Sequence, residues 1–185
     1  MTETKIATTT SGSGDFLGSM ASLAEAVANV RRIDEVWAQA DAVFGEVIGH
    51  RMFTVLRYVE ERGEVARLYT NKPDAYPVGG TKPMGPTPWG ELVLKRGKPF
   101  VGPDADAVRW AYPDHETIIG MGLESALNLP MRLSGETLGT INLTHQSGYY
   151  HDGHLQAGSI LAALLTPLLV QYPSEHSSNH ETRIS

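Results

Sequence analysis

The histidines are the residues whose chemistry is easiest to assign, because imidazole binds metals and exchanges protons near neutral pH. His145, His151 and His154, with Asp152 between the last two, place one imidazole at a predicted strand end and two at a predicted helix start. Such groups can hold a divalent metal ion. Their spacing matches no established zinc motif, so exposed histidines or hydrogen bonding at the helix start are the favoured interpretation. No other cofactor is predicted.

Acid–base chemistry has a second set of candidates. His115, Glu124 and His145 could donate or accept a proton if a pocket moved their pKa values toward neutrality. The sequence contains no cysteine, which excludes cysteine nucleophiles, disulfides and thiolate metal sites. It also lacks the Gly-x-Ser-x-Gly elbow, the P-loop and the dinucleotide-binding glycine pattern. An enzymatic role therefore has candidate residues but no signature of a known reaction.

Polar side chains interrupt two apolar, strand-like runs near the end of the chain. Ser125 and Asn128 lie in the first run, and Asn142 and Thr144 lie in the second. A buried amide without a partner costs about 1–3 kcal/mol, so these groups should meet backbone, water or a ligand. They either face solvent and nearby loop backbone or line a pocket.

Aromatic residues cluster in and around a long loop. Tyr69, Tyr76, Trp89 and Trp110 could line a pocket that buries the apolar surface of a small molecule, or could fill the core beneath the loop. Gly90 follows Trp89 at a predicted helix start, where free backbone N–H groups can bind an anion. All of these residues are candidate ligand contacts.

Hydrophobic spacing predicts the elements that must position these side chains. Apolar residues at helical spacing predict one long helix or two in tandem over residues 19–48, ended by Gly49. Alternation then predicts a β-hairpin that turns at Gly63 and a second hairpin over residues 125–145. Residues 72–91 contain five prolines and four glycines and are predicted to lack regular structure. A short helix, a short strand and a two-part helix follow this loop, and an apolar helix ends the fold.

Length and composition predict one domain. The composition along the 185 residues predicts a disordered tail over residues 1–17, a single domain over 18–172 and a disordered tail over 173–185. The net charge of −6 argues against non-specific binding to nucleic acid. No signal peptide is recognisable, and the apolar stretch 155–172 is short for a membrane span. A cytoplasmic protein without membrane or nucleic-acid partners is predicted.

The order of elements resembles the GAF domain family. The specific resemblance lies in the last hairpin, where residues 125–131 include Pro130 and are followed, after Gly135, by residues 138–143 with Gly139 near the start. The resemblance covers roughly residues 20–172. It implies an α+β fold with an antiparallel sheet of five or six strands. The terminal helices would lie on one face of this sheet, and a ligand pocket would lie on the other face beneath the loops of residues 70–120.

The resemblance also implies a function. Bilin-binding members and free methionine sulfoxide reductases of the family use cysteine, which is missing here, and Asn71-Lys72 is only a fragment of the cyclic-nucleotide signature. The sequence therefore predicts a protein that senses or captures a small molecule and forms a homodimer through its terminal helices. The alternatives are an enzyme that uses pocket histidines, and an interaction protein that docks through its helices.

Overall fold

Two helices in tandem open the fold in the computed structural model, which describes residues 13–171. Helix α1 spans Ser13–Ala28 and α2 spans Ile33–Val47. Gly49 ends the second helix as predicted, since its backbone takes a φ of +85° and its N–H donates to the carbonyl of Phe44. The predicted domain boundary at residue 18 falls inside α1. The predicted tail over 173–185 lies outside the described residues.

Six antiparallel strands form one sheet in the order β3-β2-β1-β6-β5-β4, which confirms the predicted α+β architecture. Their bounds are Met52–Val59 (β1), Glu64–Thr70 (β2), Thr81–Pro83 (β3), Phe100–Gly102 (β4), Ser125–Leu133 (β5) and Glu136–His145 (β6). Strand β3 lies in the stretch that was predicted to lack regular structure, and that prediction is wrong for these residues. A proline is tolerated there because β3 is an edge strand.

Short helices cover one face of the sheet. A π-helix spans Gly90–Lys95, α3 spans Ala105–Ala111 and α4 spans His115–Gly120. Asp104 caps α3 by accepting a hydrogen bond from the N–H of Ala107. Together with the segment between β2 and the π-helix, these elements enclose the space in which the candidate site lies.

The main core fills the opposite face. Helices α1 and α2 and the last helix, α5 (Leu155–Gln171), pack there against the inward-facing side chains of β1, β5 and β6. Gly139 permits this packing, because a Cβ at this position would overlap the carbonyl oxygen of Leu56 and the Cδ1 atom of Leu169. Strand β6 and helix α5 therefore approach each other closely at Gly139.

One helical segment of the described chain, Asp152–Gln171, has the length and hydropathy of a membrane span. Its apolar face is covered by the sheet and α1, and Leu161, Leu165, Leu168 and Leu169 are fully buried. This packing favours its interpretation as a core helix.

Candidate functional site

A cavity of about 250 Å³ lies between the sheet and the segments that cover it. Its wall includes polar or aromatic side chains from three parts of the chain: Thr54, Arg67, Tyr76, Lys82, Trp89, Tyr112, Asp114, Asn142 and Thr144. The apolar part of the wall comes from Met52, Leu56, Val65, Met84, Ala111 and Ile118. An apolar wall with a few convergent polar groups is typical of small-molecule sites.

The floor of the cavity is a network of hydrogen bonds across three strands. Asn128 Nδ2 on β5 donates to Asn142 Oδ1 on β6 at 2.8 Å. Asn142 Nδ2 then donates to Thr140 Oγ1 at 3.1 Å and to Thr54 Oγ1 on β1 at 3.4 Å. All four residues are buried, so the network fixes the orientation of both amides beneath the cavity.

One side wall is fixed to this network by two aromatic residues. Trp89 Nε1 donates to Asn128 Oδ1 at 2.8 Å. The hydroxyl of Tyr112 lies 3.0 Å from Asn128 Oδ1 and 2.7 Å from Asn128 Nδ2. Burial raises the pKa of Tyr112, so this phenol is neutral and can both donate and accept.

The opposite side carries two charges separated by a tyrosine ring. The Arg67 guanidinium lies over the ring of Tyr76, 4.8 Å from its centroid. The Tyr76 hydroxyl donates to Asp114 Oδ2 at 2.9 Å. Burial, together with this hydrogen bond to Asp114, raises the pKa of Tyr76. Burial lowers the pKa of Arg67, although a guanidinium stays charged at any physiological pH.

Two polar atoms in the cavity wall have no partner among residues 13–171. They are the Oγ1 atom of Thr144 and the Nε atom of Arg67, and both are buried. A buried polar atom without a hydrogen bond costs about 1–3 kcal/mol. A ligand that bonds to these atoms would recover that free energy.

Three of the predicted ligand contacts line the cavity: Tyr76, Trp89 and Asn142. Asn128 lies behind the wall and supports it through Trp89 and Tyr112.

The structure places the other predicted ligand contacts elsewhere. Ser125 is fully buried and donates to the carbonyl of Gly102 while accepting from the N–H of Tyr150. Tyr69 lies on the helix-covered face, where its hydroxyl donates to Asp41 Oδ2 at 2.9 Å.

Trp110 and Gly90 also lie outside the cavity. Trp110 is 45% exposed and stacks on Phe100. The N–H of Gly90 is not free to bind an anion, because it donates to Thr87 Oγ1. Gly90 instead borders a second depression, whose lining also includes Tyr58, Glu60, Pro86 and Lys95.

The predicted catalytic residues do not line the cavity. His115 begins α4 and its buried Nδ1 atom has no partner in the described part of the chain. Glu124 immediately precedes β5. His145 ends β6, and its ring stacks on Tyr149 with 3.6 Å between the ring centroids.

Two of the three candidate metal ligands, His151 and His154, form hydrogen bonds at a helix start. His151 caps a 3₁₀ turn, where its Nδ1 accepts from the N–H of Gly153, and the Nδ1 of His154 accepts from the N–H of His151. Within residues 13–171 no three histidine, aspartate or glutamate side chains are arranged to hold a metal ion.

Arg67 and Asp114 are two charged cavity residues that sequence reasoning missed, and Thr54 and Lys82 were missed as well. The sequence did contain a signal for Arg67. It lies two positions after Val65 in a predicted strand, and both side chains therefore point to the same face. A charged residue in line with a buried apolar one is unusual unless it has a partner. Asp114 stands between two short helices, and no local pattern marks it.

A family model described as "GAF domain" matches residues 34–169. No curated protein sequence matches the chain significantly.

Among solved structures, the free methionine-R-sulfoxide reductase of Neisseria meningitidis in complex with its substrate superposes with a TM-score of 0.64 at 18% identity, over 84% of this chain and 88% of that one. The GAF domain of an Acinetobacter phosphoenolpyruvate-protein phosphotransferase superposes with a TM-score of 0.66 at 12% identity, over 89% of this chain and 96% of that one. The chromophore-binding domain of a bacteriophytochrome from R. palustris superposes with a TM-score of 0.64 at 13% identity, over 86% of this chain and 63% of that one. At these identities the likeness concerns the fold.

Proposed function

The chain belongs to the GAF domain family, and on that premise we propose that it senses or captures a small molecule in the cavity between the sheet and the segments of residues 76–114. GAF domains generally bind small molecules. The observation that carries the proposal is the pair of buried, unpartnered polar atoms in the cavity wall, on Thr144 and Arg67. A bound molecule would satisfy both.

Binding is favoured over catalysis. His115, Glu124 and His145 do not line the cavity, so no predicted acid or base is placed against a molecule bound there. The reductase that shares the fold is solved with its substrate, but cysteine-dependent reduction has no counterpart in a chain without cysteine.

Trp89 provides a direct test, because it is the tryptophan that lines the cavity. Trp37 is buried on the helix-covered face and Trp110 is on the surface. The double variant Trp37→Phe/Trp110→Phe leaves Trp89 as the fluorescent reporter in a metabolite screen.

A ligand is expected to change the emission of Trp89 and to raise the melting temperature. Ligand at one hundred times its Kd stabilises a protein by about 2.7 kcal/mol. The single variant Trp89→Phe, which keeps the other two tryptophans, is the control and should show no comparable change in emission. If no compound in a broad panel raises the melting temperature of folded protein, the proposal fails.

We also propose that the protein is a cytoplasmic homodimer formed through its terminal helices. Leu17 on α1 is 64% exposed and Val170 on α5 is 55% exposed, and α1 and α5 pack against each other. Sedimentation of wild type and of Leu17→Glu and Val170→Glu tests the dimer. A monomeric wild type at micromolar concentration would refute it.

A further inference from the structure

Apart from the exposed Lys82, the cavity wall holds two opposite charges, which do not neutralise each other by contact. Arg67 and Asp114 both line the cavity, and no ion pair joins Arg67 to a carboxylate among residues 13–171. Tyr76 keeps them apart, with the guanidinium over the face of its ring and the Asp114 carboxylate at its hydroxyl. Tyr76 therefore fixes the position of each charge relative to the other.

Each charge has unused hydrogen-bonding capacity. The Arg67 side chain donates to the carbonyl of Pro77 through Nη1, and its buried Nε has no partner in the described chain. Asp114 accepts from Tyr76 through Oδ2, and no other side-chain hydrogen bond reaches its carboxylate among the described residues. A guanidinium edge suits a carboxylate, and a free carboxylate oxygen suits an ammonium group.

The rest of the cavity suits a short apolar or aromatic group. Trp89, Met84, Val65 and Ile118 contribute to the wall. An apolar cavity of about 150 Å³ holds benzene, so a cavity of about 250 Å³ has room for a ring or branched chain with a small charged head group.

We infer that the ligand is a small zwitterion of the α-amino acid type, with its carboxylate on Arg67, its ammonium group on Asp114 and its apolar side chain against Trp89. This inference rests on the proposed function and names its ligand class. A carboxylate without an amine would leave the negative charge of Asp114 unbalanced nearby. An amine without a carboxylate would leave Arg67 unpaired in a partly dehydrated wall.

Matched probes separate the two charges while keeping the apolar group constant. One set is L-phenylalanine, 3-phenylpropionate and phenethylamine. A second is L-methionine, 4-(methylthio)butanoate and 3-(methylthio)propylamine, and a third is L-leucine, 4-methylpentanoate and isoamylamine. Titration calorimetry on the full chain is expected to show that, in at least one set, the amino acid binds at least tenfold more tightly than both analogues.

Variants assign each charge to its residue. Arg67→Gln is expected to weaken amino-acid binding at least tenfold and to leave the amine unaffected, whereas Asp114→Asn should weaken the amino acid and spare the carboxylate. Arg67→Lys keeps the positive charge but loses the planar guanidinium that can bind a carboxylate through two N–H groups, so it should retain part of the affinity. It replaces Arg67→Gln in the experiment if Arg67→Gln does not fold. Arg109→Gln, on the surface of α3 where Arg109 pairs with Asp106, is the control and should bind as wild type.

The outcomes distinguish this inference from the proposed function. If all members of each set bind equally, or if the protein binds another panel compound but none of these probes, the zwitterion inference is overturned and small-molecule binding stands. If Arg67→Gln and Asp114→Asn bind the amino acid as wild type does, the assignment of the charges is also overturned. If no panel compound binds, both proposals fail.

Discussion

The indole Nε1 of Trp89 donates a 2.8 Å hydrogen bond to Oδ1 of Asn128, a residue 39 positions further along the chain. This bond joins the start of the π-helix to the centre of the sheet. The same amide contacts Tyr112 and Asn142, so Asn128 holds together the floor and one wall of the cavity. The cavity's shape therefore depends on a residue that does not itself line it.

Replacement of Asn128 by alanine is expected to lower the free energy of unfolding by about 3 kcal/mol, because Trp89, Tyr112 and Asn142 would each lose a hydrogen bond at once. Urea denaturation measures this loss, and the emission of Trp89 should shift to the red as its indole becomes hydrated. Asn29→Ala is the control, since Asn29 is exposed and its side chain donates to the carbonyl of Glu25, in the helix that precedes it. A loss below about 0.5 kcal/mol in Asn128→Ala would show that the network does not support the fold.

The sequence singled out the polar residues of the last hairpin but left their surroundings open. Ser125, Asn128 and Asn142 interrupt apolar runs, which allowed either exposure to solvent and loop backbone or a place in a pocket, and the structure buries all three. Which of them faces the cavity depends on the position of Trp89 and Tyr112, which are far away in sequence. Long-range pairing of this kind leaves no local pattern.

Tyr69 was predicted to contact a ligand but lies on the helix-covered face of the sheet, and this difference has a specific cause. Strict alternation would put Tyr69 on the same face as Arg67. However, Val55 pairs with Tyr69 and Leu56 pairs with Arg67, so Leu68 is an extra residue in the ladder. This β-bulge turns Tyr69 to the helix-covered face. A bulge shifts the alternation without a sequence signature, whereas the close approach at Gly139 was predictable because only glycine leaves room there.

Gly139→Ala is expected to destabilise the protein by about 2 kcal/mol, because the new methyl group would overlap the backbone of β1 and the side chain of Leu169. Gly18→Ala is the matched control in α1, where a Cβ meets no atom within 4 Å. That control should be neutral or stabilise by up to about 1 kcal/mol, since alanine favours helix. Thermal and urea denaturation of both variants test the prediction. Equal stability of the two variants would contradict it.

Two threonines on β6 should respond differently to the same isosteric change. Thr140 Oγ1 accepts a hydrogen bond from Asn142, whereas the buried Oγ1 of Thr144 has no partner among the described residues. Thr140→Val is therefore expected to cost about 1 kcal/mol, and Thr144→Val should leave the ligand-free protein as stable as wild type or more so. The affinity of Thr144→Val for a cavity ligand should fall. A Thr144→Val protein that is the less stable of the two would contradict the assignment.

Alkaline conditions should weaken the fold through Tyr69. Burial, with a smaller effect from Asp41, raises the pKa of Tyr69 from 10.0 to about 12. The folded state thus favours the neutral phenol, and this contribution to stability is complete below about pH 10 and is lost as the pH rises through about 12. Tyr69→Phe should lose less stability than wild type between about pH 9 and about pH 11.5, measured by urea denaturation. Parallel curves for the two proteins would show that Tyr69 does not titrate differently on unfolding.

Acid should weaken the fold through His145. Burial, followed by the charges of Arg51 and His50, lowers the pKa of His145 below its ordinary value of 6.5. The folded state therefore favours the neutral imidazole that stacks on Tyr149, and this contribution is present above about pH 6.5 and is lost as the pH falls through the lowered pKa. Glutamine has no proton to gain in this range, so His145→Gln should lose less stability than wild type between about pH 7 and about pH 5. His154, whose pKa burial also lowers, is retained in both proteins, so the difference between their urea denaturation curves isolates His145. An NMR titration that placed the pKa of His145 at or above 6.5 would contradict this account.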